Sequence, residues 1–130
     1  LPLARRFEKV TGVEENKRAI QVAKKNAAHA GLENLDLLSR SVGSFLTSGK
    51  RKKAEFVLLD PPRIGPENGV IEALISMRPT RISYISCEPS ILARDLRQLL
   101  DGGYVIRSIT ALDLFPQTHH VETVVQLEAR

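Results

Sequence analysis

The sequence predicts an α/β protein built on an open, mostly parallel sheet with helices on both faces. Strand-like apolar runs alternate with helix-like segments through short connections, which is the pattern of repeated strand–helix–strand units. Near the C-terminus two strand-like segments follow each other without a long helix between them, so the last pair is expected to be antiparallel. The size agrees: 130 residues, 42% hydrophobic and 26% charged, suit one domain spanning residues 1–130.

Residues 1–7 read as the tail of a helix with no capping residue ahead of it, so further chain is expected upstream. Residues 9–14 form a short strand ending in Glu14. Asn16 caps a helix whose apolar face is Ile20, Ala23, Ala27 and Ala30, and Gly31 supplies the left-handed stop. A second strand covers 35–38, a short helix or turn 42–46, and the basic run 50–53 an exposed loop. Residues 55–59 are nearly all apolar, as in a strand covered on both faces, and Pro61 and Pro62 end it. A helix is expected over 66–77, using Val70, Ile71, Leu74 and Ile75, and a strand over 81–86. Pro89 suits the first turn of a helix with the stripe Ile91, Leu92, Leu96, Leu99 and Leu100, closed by Gly102 and Gly103. Strands over 104–109 and 121–127 complete the chain.

One cysteine excludes an internal disulfide framework and any cysteine-rich zinc or iron–sulfur site built from this segment alone. No run approaches the ~20 apolar residues that cross a bilayer, and Leu1 opens no signal peptide, so a cytoplasmic protein without membrane contact is expected. The net charge is +4, and its excess sits in the first half, with 7 basic against 3 acidic residues in positions 1–30. That half is the better candidate for facing a polyanion.

In a sheet of this kind ligands collect beyond the carboxyl ends of the parallel strands. Glu14, Asp60 and Cys87 lie at such ends, and Glu122 opens a strand expected to run the other way, so the pattern brings all four to one edge. Cys87 lies just before a helix start, where free N–H groups favour a thiolate, although Glu88 places a negative charge alongside; a buried small hydrophobe is the other reading. Asp60, held by Pro61 and Pro62, is either a turn-capping acid or a hydrogen-bonding partner for a flat heterocycle. Arg63 is a phosphate contact or simply solvated. Glu14 is suited to ribose hydroxyls or to the start of a helix. His119 and His120, adjacent in an extended segment, point opposite ways and read as loop packing rather than metal ligands, and no metal is expected.

Three segments taken together, 58–63 (LLDPPR), 84–96 (YISCEPSILARDL) and 113–122 (DLFPQTHHVE), resemble the RNA uracil-5-methyltransferase family in order and spacing, over essentially the whole chain. The resemblance implies a Rossmann-like, S-adenosylmethionine-dependent sheet with an antiparallel last strand. Its first strand and glycine-rich loop would precede Leu1, leaving a truncated catalytic domain with weakened cofactor affinity and a sheet edge open to self-association. It implies Cys87 as nucleophile, Glu122 as general base, Asp60 as the acid on the uracil and beside the cofactor, Glu14 on the cofactor ribose, and Pro61 and Arg63 on the substrate. It also implies an RNA substrate, with ribosomal RNA preferred to transfer RNA. Any iron–sulfur cluster would lie outside this segment. Two departures stand out: Ser41 occupies the position where a polar or acidic side chain meets the adenine, and Glu88 replaces an asparagine. Alternatives from the same residues are an exocyclic-nitrogen methyltransferase using the Asp60–Pro62 turn and a noncatalytic RNA-binding domain using the basic first half.

Overall fold

A computed structural model describes residues 1–48, 54–114, 116–118 and 121–130. The basic run 50–53, Phe115, His119 and His120 lie outside the described residues. The chain divides into two compact units, Leu1–Ser48 and Gly49–Arg130.

The first unit is a strand–helix–strand with short helical ends. A 3-10 turn, Pro2–Arg5, leads to β1 (Val10–Glu14), α1 (Lys17–His29), β2 (Leu35–Ser39) and α2 (Val42–Thr47). β1 and β2 pair in parallel, from Val10 beside Leu35 to Glu14 beside Ser39. Gly12 is needed in that pair: a Cβ there would come within 2.8 Å of Leu37 Cδ2. Asn16 caps α1 as expected, its Oδ1 accepting from the amides of Arg18 and Ala19 at 2.9 and 3.1 Å. Gly31, at φ 64°, ends the helix in the left-handed region, and Leu32 N–H turns back to Ala27 O at 3.0 Å. Asn34 Nδ2 donates to the carbonyls of Ala4 and Phe7, both at 2.8 Å, and so ties the opening turn to the entry of β2. Of the expected apolar face, Ile20 and Ala27 are buried, Ala23 is half-buried and Ala30 is the exposed C-cap.

The second unit holds β3 (Phe56–Leu59), α3 (Val70–Met77), β4 (Arg81–Ser86), α4 (Pro89–Asp101), β5 (Tyr104–Leu112) and β6 (Glu122–Ala129). Its four-stranded sheet has the order β3-β4-β6-β5. β3 and β4 are parallel, and β6 is antiparallel to both neighbours. Its core joins the sheet face carrying Ile82, Tyr84, Val125 and Leu127 to Leu92, Leu96 and Leu99 of α4 and Val70 and Leu74 of α3, all of them buried. Gly102 lets α4 end against α3, since a Cβ there would meet Ile75 Cδ1 at 2.6 Å. Tyr104 is fully buried with its hydroxyl donating to Pro79 O at 2.8 Å, and burial pushes its phenol pKa up.

The second unit's sheet is mixed, with the antiparallel C-terminal strand that the sequence predicts. Three expectations change in detail. The helix expected over 66–77 begins only at Val70, because Gly65 and Gly69, at φ 89° and 82°, hold the preceding residues in a loop. The strand expected over 104–109 continues to Leu112, since its partner β6 supplies hydrogen bonds as far as Glu122, and the register slips around Arg107. β3 is not covered on both faces: Leu58 is 45% exposed, and among the described residues β3 pairs only with β4.

Two outcomes follow from this packing. Leu99→Ala removes a fully buried side chain between α4 and the sheet and is expected to cost about 2–5 kcal/mol in urea denaturation of the complete protein. Among the described residues β3 has no second strand partner, and a polypeptide of residues 1–130 is expected to self-associate through that strand; a concentration-independent monomer mass in light scattering would contradict this.

Candidate active site at the strand ends

Three of the expected site residues gather at one edge of the second unit's sheet. Leu59 pairs with Tyr84, so Asp60, the next residue after β3, stands level with Ile85. Ser86 pairs with Thr123 as the last rung of the ladder, so Cys87 follows the end of β4 at the sheet edge where Glu122 opens β6. The antiparallel direction of β6 is what places the start of that strand at the end of β4. Asp60 is exposed, while Cys87 and Glu122 are half-buried. A thiol and two carboxyl groups thus stand within reach of solvent, outside the apolar core.

The turn bearing Cys87 is fixed from both sides. Ser86, buried at 6% exposure, accepts from Glu88 N–H through Oγ at 3.1 Å and donates to Glu88 O at 3.2 Å. Glu88 caps α4: its Oε1 accepts from Ser90 Oγ at 2.8 Å and from Ser90 N–H at 3.4 Å. These bonds from Ser90, with the positive charge of Arg63 as a smaller contribution, hold the Glu88 carboxyl below the usual carboxylate range. The acid beside Cys87 is therefore engaged with the helix start. Pro61, half-buried, opens the loop after β3.

Glu14 lies in the first unit, exposed at the carboxyl end of β1, and its Oε1 accepts from Asn16 N–H at 2.7 Å. One carboxylate oxygen therefore supports the start of α1. Ser41 caps α2, accepting from Ser44 N–H at 3.1 Å. Two surface depressions of about 460 and 410 Å³ are lined by residues of the first unit and include none of Glu14, Asp60, Cys87 and Glu122. Among the described residues no group of three or more His, Cys, Asp and Glu could hold a metal ion.

The sequence reading missed Asp95. It is 1% exposed, its Oδ2 accepting from Tyr84 O–H at 2.7 Å and its Oδ1 pairing with Arg94 at 2.8 Å. A signal was present: Asp95 stands four residues after Ile91 and four before Leu99, so the apolar stripe of α4 carries a carboxylate in its middle.

Two substitutions test this turn. Ser86→Ala leaves Glu88 N–H without its acceptor and is expected to cost about 1–3 kcal/mol, read as a lowered thermal midpoint. For Glu88 the lowered pKa means that its contribution is complete above the ordinary carboxylate pKa and is lost as pH falls through the folded value. Glu88→Gln should therefore lower the urea midpoint near pH 7, and the gap from wild type should close as pH falls below the ordinary carboxylate range.

Comparison with known proteins supplies the family. The family model for tRNA (uracil-5-)-methyltransferases matches residues 1–130. An uncharacterized RNA methyltransferase of Gloeobacter violaceus is 43% identical over 128 residues, covering 98% of this chain and 27% of that protein. Another, of Caldanaerobacter subterraneus, is 42% identical over 127 residues, covering 98% and 27%. Among solved structures, the Pyrococcus abyssi tRNA (uracil-54, C5)-methyltransferase in complex with S-adenosyl-L-homocysteine superposes with a TM-score of 0.79 at 33% identity, covering 96% of this chain and 30% of that one. A putative tRNA (m1A22) methyltransferase of Streptococcus pneumoniae, in complex with S-adenosyl-L-methionine, shares the fold at 15% identity and a TM-score of 0.76, covering 98% and 59%. The chain spans under a third of the length of the curated relatives named here. With the family model matched from end to end, this chain belongs to the tRNA (uracil-5-)-methyltransferase family.

Proposed function

We propose that this chain is part of the catalytic domain of an enzyme that methylates C5 of a uridine in RNA through a covalent bond between Cys87 and uracil C6. The observation that supports this reading is the antiparallel ladder ending at Ser86 beside Thr123, which leaves Cys87, Glu122 and, after β3, Asp60 at one edge of the sheet. Family membership supports it by supplying the reaction class.

The chemistry calls for these groups. Uracil C5 is a weak nucleophile, so the Cys87 thiolate adds to C6, and the electron pair of the C5–C6 bond moves into an enolate that makes C5 reactive. Asp60, at the end of β3, hydrogen-bonds the polarised ring. S-adenosylmethionine, when bound, supplies the methyl group as an electrophile. Glu122 then removes the C5 proton, the C5–C6 double bond re-forms, and the Cys87 sulfur leaves C6 with its electron pair. Pro61 holds the loop rigid, and Arg63 faces substrate phosphate.

The residues present fit the cofactor in kind. Glu14 is exposed at the carboxyl end of a parallel strand, and a carboxylate there can accept ribose hydroxyls, one oxygen already being engaged with Asn16 N–H. Asp60 is the second acid assigned to it. We expect residues 1–130 alone to bind S-adenosylmethionine weakly and to be inactive. We read residues 1–130 as one truncated catalytic domain acting with its RNA in the cytoplasm. Among the described residues no helix is long and apolar enough to cross a membrane. Ribosomal RNA is the preferred substrate, on the sequence surroundings of Ala93–Asp95 and Phe115–Gln117.

The test uses the complete protein with RNA containing 5-fluorouracil, whose C5 fluorine cannot leave as a proton and so holds the adduct. Wild type is expected to form a denaturation-resistant protein–RNA complex and Cys87→Ala none. Glu122→Gln is expected to slow turnover on ordinary RNA by about 100-fold or more while still forming adduct. Full methylation by Cys87→Ala would sink the covalent reading in favour of exocyclic-nitrogen methylation. Parallel assays on ribosomal and transfer RNA transcripts decide the substrate.

A further inference from the structure

We propose that Asp95 is a positioning residue, a buried carboxylate joining Tyr84 of β4 and the exposed Arg94 of α4 into a post on which the loop following Asp60 rests. This rests on the reading of Asp60 and Cys87 as members of one active site.

The loop from Asp60 to Gly65 begins at the end of β3 and must hold its acid at a fixed height against the Cys87 turn. It closes on itself through Gly65 N–H to Pro62 O at 2.8 Å. Gly65 is buried and has φ 89°, a conformation that favours glycine. It also has no room for a side chain, since a Cβ would lie 2.7 Å from Arg94 Nη2, 2.8 Å from Ile91 Cγ2 and 3.5 Å from Asp95 Oδ2. The loop thus sits directly on the Arg94–Asp95 pair.

Asp95 holds that seat in place. It is 1% exposed, and both oxygens are occupied, one by Tyr84 O–H and the other by the Arg94 guanidinium. The arginine alone, half-exposed and flexible, would move freely; paired to a buried acid it presents a fixed surface. Tyr84 is in the strand that leads to Cys87, and Asp95 is in the helix that starts just after it. One carboxylate therefore couples the three pieces that set Asp60 and Cys87 relative to each other. The Tyr84 phenol is held well above its usual pKa, first by burial and then by its bond to Asp95, and so remains a hydrogen donor.

The complete protein is tested with Asp95→Asn, Gly65→Ala, their combination, and Tyr84→Phe. Amide hydrogen exchange needs no substrate: Asp95→Asn is expected to lower protection of the Gly65 amide about tenfold or more, leaving central amides of β4 and β6 unchanged. Methyl transfer at saturating RNA should fall about tenfold or more with KM for RNA within about threefold, because a displaced acid slows the reaction without weakening RNA binding. Gly65→Ala should behave alike, and the double variant should be no slower than the worse single, as expected when both act through one contact. Unchanged loop exchange in Asp95→Asn overturns the proposal, as does loss of protection spread evenly over the sheet or additive losses in the double variant. If Asp95→Asn does not fold, Tyr84→Phe decides: loosening confined to residues 62–66 supports the post, and wild-type exchange there refutes it. Failure of Cys87 to form an adduct would count against the covalent mechanism alone, since the exchange measurement is independent of it.

Discussion

The antiparallel pairing of β6 with β4 is the constraint on which the rest depends. A parallel strand in that position would carry its first residue to the far edge of the sheet, a full strand length from Cys87. Because β6 runs backwards, Glu122 stands where β4 ends, and the ladder from Arg81 beside Glu128 to Ser86 beside Thr123 makes that placement a property of backbone hydrogen bonds. The fully buried Val125 and Leu127 on one face of β6 guard the register, since a slip of one residue would turn both towards the other face.

Much of this arrangement was legible in the residues, and for identifiable reasons. Strand ends were marked by chemistry that forbids continuation, as with Pro61 and Pro62 after Leu59, and helix starts by Asn16 and Pro89, whose roles are local. The hairpin direction followed from the absence of a crossover helix. What escaped depends on contacts distant in sequence. Asp95 was lost within an apolar stripe because its partner Tyr84 lies on another element, and the late start of α3 depends on two glycines in left-handed conformations rather than on its apolar spacing. The exposure of Leu58 shows the converse limit: an apolar run reports that burial is favourable, not which neighbour provides it.

The candidate site residues come from combining strand-end positions with the Asp60–Arg63, Cys87–Pro89 and Glu122 surroundings, and family membership is the ground on which a reaction class is proposed for them. Glu88 had been read mainly as a charge beside the thiol. Its bonds to Ser90 give it a structural occupation, closing the first turn of α4.

One feature of the sheet separates two demands that proteins often have to reconcile. Along β4 the most deeply buried residues, Ile82 and Tyr84, precede Cys87, and along β6 Val125 and Leu127 follow Glu122, so foundation and workplace occupy opposite ends of the same strands. Many changes at the candidate rim can therefore be made while the anchoring half keeps its packing. The two ends still communicate through a few polar residues, Ser86 at the turn and Asp95 beneath the loop, and these are the positions where a change at the rim would also reach the packing.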